Sequence, residues 1–280
     1  MARESGAKVE TSARSSNPKN LVRSLEKGFR VLESFAATQP ELTLAEAARR
    51  ADLDNATAFR LLNTLVSLGY VDRVPGTRRF RLTLKCLDLG FNAVARMELR
   101  ERVRPVLRSL VGEVNEAASV GVLDGTDAVY VERVQAGLVR LGVDVHIGSR
   151  TPAYCSALGL AILASLPRAE QTRILDLAPR PRLTPRTVTD KRAILRRLSS
   201  ARDAGYVVVD QEITAGLRAL AAPILDPDGR SIAAVSVVAP VIRMPVEEFV
   251  KRTAAPVRDA ARTIGRAIQA GGAVAAPATG

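Results

Sequence analysis

Several residue types are scarce in this chain of 280 residues, and each scarcity excludes a class of protein. Two cysteines, Cys86 and Cys155, and one histidine, His146, are too few for a disulfide scaffold or a Cys/His metal site. We therefore expect no metal and no cofactor. No apolar run approaches the roughly 18 residues that span a bilayer, and the first twenty residues do not resemble a secretory signal. These absences predict a cytoplasmic protein without a membrane partner.

The composition that remains is that of a globular protein. Hydrophobic residues make up 47% of the chain and charged residues 25%, and the length favours two domains. The formal net charge is +12 at pH 7, which suggests an anionic partner, and nucleic acid is the default expectation for such a protein.

The first ninety residues have the pattern of a small helical domain closed by a hairpin. Residues 1–19 lack periodic apolar positions and are predicted to be a mobile tail. Thr43 and Glu46 form a capping box before a short helix, and Asp54 is the expected N-cap of the next. Residues 70–82 alternate around Pro75-Gly76 as a β-hairpin does. Three helices followed by a hairpin predict a winged helix-turn-helix domain over residues 20–84.

The third helix and the hairpin carry side chains suited to DNA recognition. In the major groove, arginine pairs with guanine and asparagine with adenine, while hairpin arginines reach phosphates. The alternative is a merely solvated helix face, which the arginine-bearing hairpin and the capped helix before it disfavour. The predicted DNA-contacting residues are Asn55, Thr57, Arg60, Asn63, Thr64, Arg78 and Arg79.

The rest of the chain predicts a linker helix over 85–105, a second domain over 106–271 and a tail over 272–280. The helical stretch Thr83 to Val114 is highly charged, typical of a solvent-bridging helix, and should be interrupted at Pro105. Helices are predicted over 156–166, 168–177, 188–204 and 246–269, the last disturbed at Pro256. Strands are predicted at Ser119 to Leu123, Ala128 to Val134, Leu138 to Val145, 206–210, 218–225 and 231–238. This order predicts an α+β domain with a largely antiparallel sheet.

Several of these segments resemble one family of proteins. The stretches Leu25 to Leu32 and Ala58 to Leu65 are similar to helices of IclR-type bacterial transcriptional regulators. Ala128 to Val134 and Arg150 to Gly159 are similar to a strand and an effector loop of the same family, as is the later segment around Gly216-Leu217-Arg218. The resemblance covers about residues 20 to 270. It is closest to the regulators of aromatic-acid catabolism, of the protocatechuate and β-ketoadipate pathways.

The resemblance implies a winged helix-turn-helix domain, a linker helix and a GAF-like α/β effector domain. It also implies homodimers, often paired into tetramers, that bind double-stranded operator DNA and respond to a small organic acid. Ala219 and Val238 stand where some relatives carry Cys or Ser, so a larger, partly aromatic or aliphatic acid is expected. The effector-binding residues predicted in this way are Tyr154, Ala157, Leu158, Val209, Asp210, Ala219, Ser236 and Val238, with Arg150 as the partner of the ligand carboxylate.

Some of these assignments have structural alternatives. Arg150 is as well explained as a loop-surface arginine or by an interface salt bridge, and Tyr154 by core packing. Asp210 more naturally holds loop geometry than an anionic effector, and Arg218 is a candidate for an ion pair with Asp210 or Glu212.

A second function class is also open at this point. Cys155, His146 and Asp144 permit a Cys-His hydrolase, although no family signature surrounds the cysteine. The basic segment 167–202, with ten basic and three acidic residues, is either a second nucleic-acid surface or a set of solvated helix faces.

Overall fold

A computed structural model describes residues 21–36, 38–87, 89, 99–136 and 145–269. The predicted tails, much of the predicted linker helix and nearly all of the predicted strand Leu138 to Val145 lie outside these ranges. The chain divides into two compact units, Met1–Arg96 and Met97–Gly280. Within the described ranges, no helix is both long and apolar enough to cross a bilayer.

The first unit combines three helices with a small antiparallel sheet. Its elements are α1 (Arg23–Glu33), β1 (Glu41–Thr43), α2 (Leu44–Ala51), α3 (Asn55–Ser67), β2 (Val71–Arg73) and β3 (Arg79–Leu82). The strand order is β1-β3-β2. The predicted winged helix-turn-helix is confirmed, but strand β1 was not predicted, because three residues are too few to show an alternating pattern.

Both predicted helix caps are present in this unit. The Thr43 hydroxyl accepts a hydrogen bond from the Glu46 amide, and the Glu46 carboxylate accepts one from the Thr43 amide at 2.8 Å. The Thr43 amide and the Thr43 hydroxyl both donate to the Glu46 carboxylate and lower its pKa, the backbone bond contributing most. Asp54 accepts from the Thr57 amide, also at 2.8 Å, and so fixes the first turn of α3.

The second unit contains one six-stranded sheet with helices on both faces. Its elements are α4 (Leu99–Val114), β4 (Ala117–Asp124), β5 (Asp127–Val134), β6 (Arg150–Pro152), α5 (Ala157–Ala164), α6 (Arg168–Asp176), α7 (Lys191–Ala204), β7 (Val207–Asp210), β8 (Leu217–Leu225), β9 (Ser231–Pro240), a 3₁₀ turn (Val241–Arg243) and α8 (Val246–Gln269). Every pairing in the order β6-β5-β4-β9-β8-β7 is antiparallel, as predicted.

Two separate cores cover the two faces of this sheet. Helices α4 and α8 pack on one face, with Leu107 and Phe249 fully buried there. Helix α5 packs on the other face and is itself covered by α6 and α7, with Leu160 and Leu198 fully buried. Every residue of α5 is buried, so its side chains determine the size of any cavity between this helix and the sheet.

Two predicted helix interruptions are wrong. Pro105 lies inside α4 and Pro256 inside α8, and both helices continue through them. A proline inside a helix costs about 3 kcal/mol, whereas each large apolar side chain that is buried contributes about 1.5–3 kcal/mol. Val103, Leu107 and Val257, which flank the prolines, are all fully buried. The prediction that α4 is a solvent-bridging helix is also wrong. Besides its charged residues, α4 has an apolar face that is buried in the core.

Candidate functional site

A cavity of about 90 Å³ lies between α5 and the sheet face that α5 covers. One water molecule needs roughly 10–15 Å³ of such space, so the cavity has room for several waters or for a small organic molecule. Half of its lining is apolar: Val145, Ala157, Leu158, Val209, Ile213, Leu217, Ala219 and Val238. The other half carries polar groups: Tyr130, Arg133, Thr151, Ser156, Glu212, Thr214, Arg218 and Ser236.

The structure brings most of the predicted effector-binding residues to this cavity. Those that line it are Ala157, Leu158, Val209, Ala219, Ser236 and Val238. Three others, Arg150, Tyr154 and Asp210, are not among its lining residues. Their side chains are engaged elsewhere in the domain.

Arg150 forms ion pairs at the end of the β4–β5 hairpin. Its guanidinium lies 2.8 Å from Asp124 and 3.3 Å from Asp127, and the side chain is 44% exposed. Two carboxylates at one hairpin end hold the arginine at the surface, so the alternative of a surface arginine describes Arg150, with ion pairs inside the domain rather than across an interface.

Tyr154 and Asp210 also have structural partners. The Tyr154 side chain is buried in the core beneath α5, and its hydroxyl donates to the Pro181 carbonyl. Asp210 pairs with Arg218 at 2.9 Å and with Arg186 at 2.5 Å. The expected role of Asp210 in holding geometry, and its pairing with Arg218, are therefore confirmed.

The sequence analysis missed Arg133, because a β-bulge changes which face this residue occupies. Across the β4–β5 pair, Val120 lies opposite Glu132 and Gly121 lies opposite Tyr130, so Val131 has no partner. Simple alternation would put Tyr130 and Arg133, three residues apart, on opposite faces. The extra residue puts both on the cavity side. Only the pairing register reveals this, and a single sequence does not contain it.

A polar row crosses the floor of the cavity at this level of the sheet. Ser119 of β4 is paired with Arg133 on one side and with Ser236 on the other. The Arg133 Nη1 donates to the Ser119 hydroxyl at 3.0 Å. Both serines are almost completely buried. The described part of the chain offers no hydrogen-bond partner to the buried atoms Arg133 Nε and Ser236 Oγ.

The other charged groups at the cavity have partners of opposite charge. Glu212 pairs with Arg197 at 2.7 Å. Arg218 pairs with Asp210 and donates to the Met244 carbonyl at 2.7 Å. Arg133, in contrast, makes no ion pair with any carboxylate in the ranges that the structure describes. Burial lowers the pKa of Arg133, but a guanidinium remains protonated in proteins.

The predicted DNA-contacting residues fall into two groups. On α3, Asn55, Arg60 and Thr64 are exposed, and Arg78 is exposed in the turn between β2 and β3. The side chains of the others bond within the unit. The Thr57 hydroxyl donates to Asp54 at 2.7 Å, and Asn63 accepts from Arg73 at 2.6 Å. Arg79 donates to the Glu41 carbonyl at 3.1 Å and forms an ion pair with Glu46 at 3.5 Å. Arg79 therefore ties β3 to β1 and α2.

The geometry around Cys155 does not support the hydrolase alternative. Cys155 is completely buried, and its burial is the main cause that raises its pKa to about 12. His146 is exposed, with its Nδ1 3.0 Å from the Ser149 hydroxyl. Asp144 lies outside the described residues. A buried, protonated thiol is not an activated nucleophile.

Comparisons with known proteins agree with both units. Residues 24–75 match the IclR helix-turn-helix domain, and residues 91–266 match the family described as bacterial transcriptional regulator IclR C-terminal. The chain is 32% identical to the Pca regulon regulatory protein of Pseudomonas putida, over 82% of this chain and 78% of that protein. It is also 32% identical to the HTH-type transcriptional regulator KdgR of Escherichia coli (strain K12), over 87% of this chain and 91% of that protein.

A solved structure is similar over nearly the whole chain. It is an IclR homolog from Microbacterium hydrocarbonoxydans complexed with 4-hydroxybenzoate, with 30% identity and a TM-score of 0.77. The similarity covers 88% of this chain and 99% of that chain. With a helix-turn-helix unit, an effector domain and family matches to both, the chain belongs to the IclR family of DNA-binding transcriptional regulators, which are not enzymes.

Proposed function

We propose that this regulator responds to an aromatic acid and controls genes of aromatic-acid catabolism. The observation that carries the proposal is the cavity under α5, half apolar in lining and supplied with buried polar atoms that have no hydrogen-bond partner among the residues that the structure describes. Small-molecule sites combine an apolar wall with a few placed polar groups in this manner.

Two relatives support the choice of an aromatic acid. One is a Pca regulon regulatory protein, and another was solved with 4-hydroxybenzoate. The cavity agrees with such a ligand, because Leu158, Val209 and Val238 offer apolar surface to a ring.

On the DNA side, we propose that α3 enters the major groove of an operator. Arg60 is exposed on this helix and would read a guanine, while Asn55 and Thr64 flank it on the exposed surface. Arg78, in the turn of the hairpin, would contact a phosphate. A homodimer, as is common among helix-turn-helix proteins, would place two such helices on two half-sites.

The effector would act by shifting the balance between two arrangements of the protein that differ in operator affinity. Such a shift requires the ligand to bind one arrangement more tightly than the other. By thermodynamic linkage, the factor by which the effector changes operator affinity equals the factor by which operator DNA changes effector affinity.

Ligand binding and operator binding together test this function. Thermal unfolding of the full chain is measured with 4-hydroxybenzoate, with protocatechuate and with pyruvate, followed by DNA binding with and without the acid that stabilises. We expect the aromatic acids to raise the melting temperature more than pyruvate does, and to change operator affinity.

An Ala219→Leu variant provides the control, because its larger side chain fills the cavity while the sequence of the helix-turn-helix unit is unchanged. It should lose the ligand response and keep DNA binding. Aromatic acids that neither stabilise the protein nor alter its DNA affinity would refute the proposal.

A further inference from the structure

We infer that Arg133, together with Ser236, binds the carboxylate of the effector and thereby selects anionic ligands. The inference rests on the proposed function of the cavity as the effector site. It assigns the carboxylate to the middle of the sheet, on β5 and β9, rather than to Arg150 at the sheet edge.

The first step of the argument is geometric. The bulge at Val131 turns Arg133 toward the cavity, and the Ser119 hydroxyl holds its Nη1 at 3.0 Å. Arg133 lines the cavity, and its Nε is buried and without a hydrogen-bond partner in the described part of the chain. Ser236 is paired with Ser119 on the next strand, so its hydroxyl lies in the same polar row.

The second step concerns charge. Arg133 is partly buried, with its Nε inaccessible to solvent, and burying a cationic group is costly unless an anion and hydrogen bonds compensate for it. The other arginine of the lining, Arg218, is already compensated by Asp210 at 2.9 Å. Arg133 has a serine hydroxyl as its side-chain partner and no ion pair among the described carboxylates. A ligand carboxylate would provide the missing negative charge.

The third step concerns hydrogen-bond chemistry. A guanidinium edge can donate to both oxygens of a carboxylate at once, and this pairing is stronger than a bond between neutral groups. The Ser236 hydroxyl adds a further donor. Ser236 is 1% exposed and lines the cavity, so a ligand inside the cavity would lie next to this hydroxyl. A neutral amide of the same shape would gain much less, because it carries no charge.

The test compares 4-hydroxybenzoate with 4-hydroxybenzamide, its neutral analogue of nearly the same shape, by calorimetric titration of the full chain. We expect the wild-type protein to prefer the acid strongly. Arg133→Gln should weaken binding of the acid by roughly thirtyfold or more, as when one member of a buried charge pair is removed, and change amide binding little. Ser236→Ala should weaken acid binding by roughly three- to tenfold.

Two controls make these variants interpretable. Arg150→Gln removes an arginine of the same domain that lies outside the cavity lining, and it should leave the preference for the acid unchanged. Ser236→Ala removes an oxygen that bonds to no described residue, so the protein should fold normally. If Arg133→Gln fails to fold, the Ser236→Ala result decides, and an unchanged acid affinity overturns the inference.

The remaining outcomes separate this inference from the proposed function. If the wild-type protein binds the acid and amide equally, or Arg133→Gln retains the wild-type preference, the inference is overturned while an aromatic effector stands. If 4-hydroxybenzoate does not bind, pyruvate and hexanoate are titrated instead. Binding of either that depends on Arg133 supports the inference and refutes the aromatic effector, whereas no carboxylate binding refutes both.

Discussion

At the scale of single residues, the buried thiol of Cys155 gives the effector domain a measurable response to alkaline pH. Its pKa is raised from an ordinary value of 9.0 to about 12, mainly because the surrounding core excludes water. Above pH 9 the unfolded chain loses this proton while the folded domain keeps it. The raised pKa therefore leaves stability unaffected below pH 9 and lowers it as pH rises toward 12.

We predict that Cys155→Ser reduces the loss of stability between pH 9 and pH 10.5 by about 2 kcal/mol, since each pH unit contributes about 1.4 kcal/mol. Urea unfolding at several pH values, followed by circular dichroism, measures this slope. Cys86→Ser is the matched control: Cys86 is only partly buried, so its removal should change the slope less. Equal slopes in the wild-type and Cys155→Ser proteins would contradict the prediction.

Six of the nine residues that the family resemblance assigned to the effector site line the cavity, whereas the side chains of the three others are held elsewhere by their own partners. Arg150, Tyr154 and Asp210 each have partners distant in sequence, such as Pro181 for Tyr154 and Arg186 for Asp210. Arg133 was missed for the opposite reason, since a local bulge reverses its face. Residue type predicts what a side chain can bind, but its nearest partner is set by tertiary contacts.

At the scale of elements, helix α5 depends on a close approach to the segment before it. A Cβ on Gly159 would lie 2.2 Å from the Ala153 Cα and 2.6 Å from the Ala153 carbonyl oxygen. Neither backbone atom can move away without displacing the residues that precede the helix. The Gly159 amide also donates a hydrogen bond to the hydroxyl of the N-cap residue Ser156 at 3.2 Å.

We therefore expect Gly159→Ala to destabilise the effector domain by at least 1–3 kcal/mol, roughly the range for overpacked core positions. Gly112→Ala is the matched control on α4, where an added Cβ meets nothing within 4 Å. It should stabilise that helix by about 0.5–1 kcal/mol. Melting temperatures of the two variants test the contrast, and a Gly159→Ala protein as stable as wild type would refute it.

Elements with strong local signals could be predicted from the sequence. The capping box at Thr43 and the cap at Asp54 depend on residues three apart, and both are present. Strand β6 was missed because its three residues form a strand only through pairing with β5. The helices through Pro105 and Pro256 were misjudged because burial of their apolar faces exceeds the local cost of proline.

At the scale of the whole molecule, much of the positive charge in segment 167–202 bonds to groups of the effector domain itself. Of the ten basic residues in segment 167–202, eight bond to carbonyl oxygens or carboxylates of the effector domain. These are Arg168, Arg173, Arg180, Arg182, Arg186, Lys191, Arg197 and Arg202. Arg192 and Arg196 are the exposed pair on α7. Net charge therefore indicated nucleic acid without locating the surface that binds it.

We predict that operator binding depends on Arg60 and Arg78 and not on the exposed pair. Arg60→Ala should weaken specific binding by about 1–3 kcal/mol and relax sequence preference, while Arg78→Ala should reduce the salt slope by about one. The control variant Arg192→Gln/Arg196→Gln, which removes two positive charges from α7, should change neither the specific affinity nor the salt slope. Fluorescence anisotropy at several salt concentrations, with DNA selected by the protein from a random pool, measures all three. A salt slope lowered by the double variant would show that segment 167–202 also contacts DNA.

The unpaired residue Val131 also affects how ligand preference can change during evolution. Removing one residue from a strand exchanges the faces of all positions on one side of the deletion. Loss of a single codon at this bulge would therefore move Arg133, or else the residues before it, to the other face of the sheet. A regulator of this architecture could exchange a charged ligand for a neutral one through one insertion or deletion, without any substitution in the wall of its binding site.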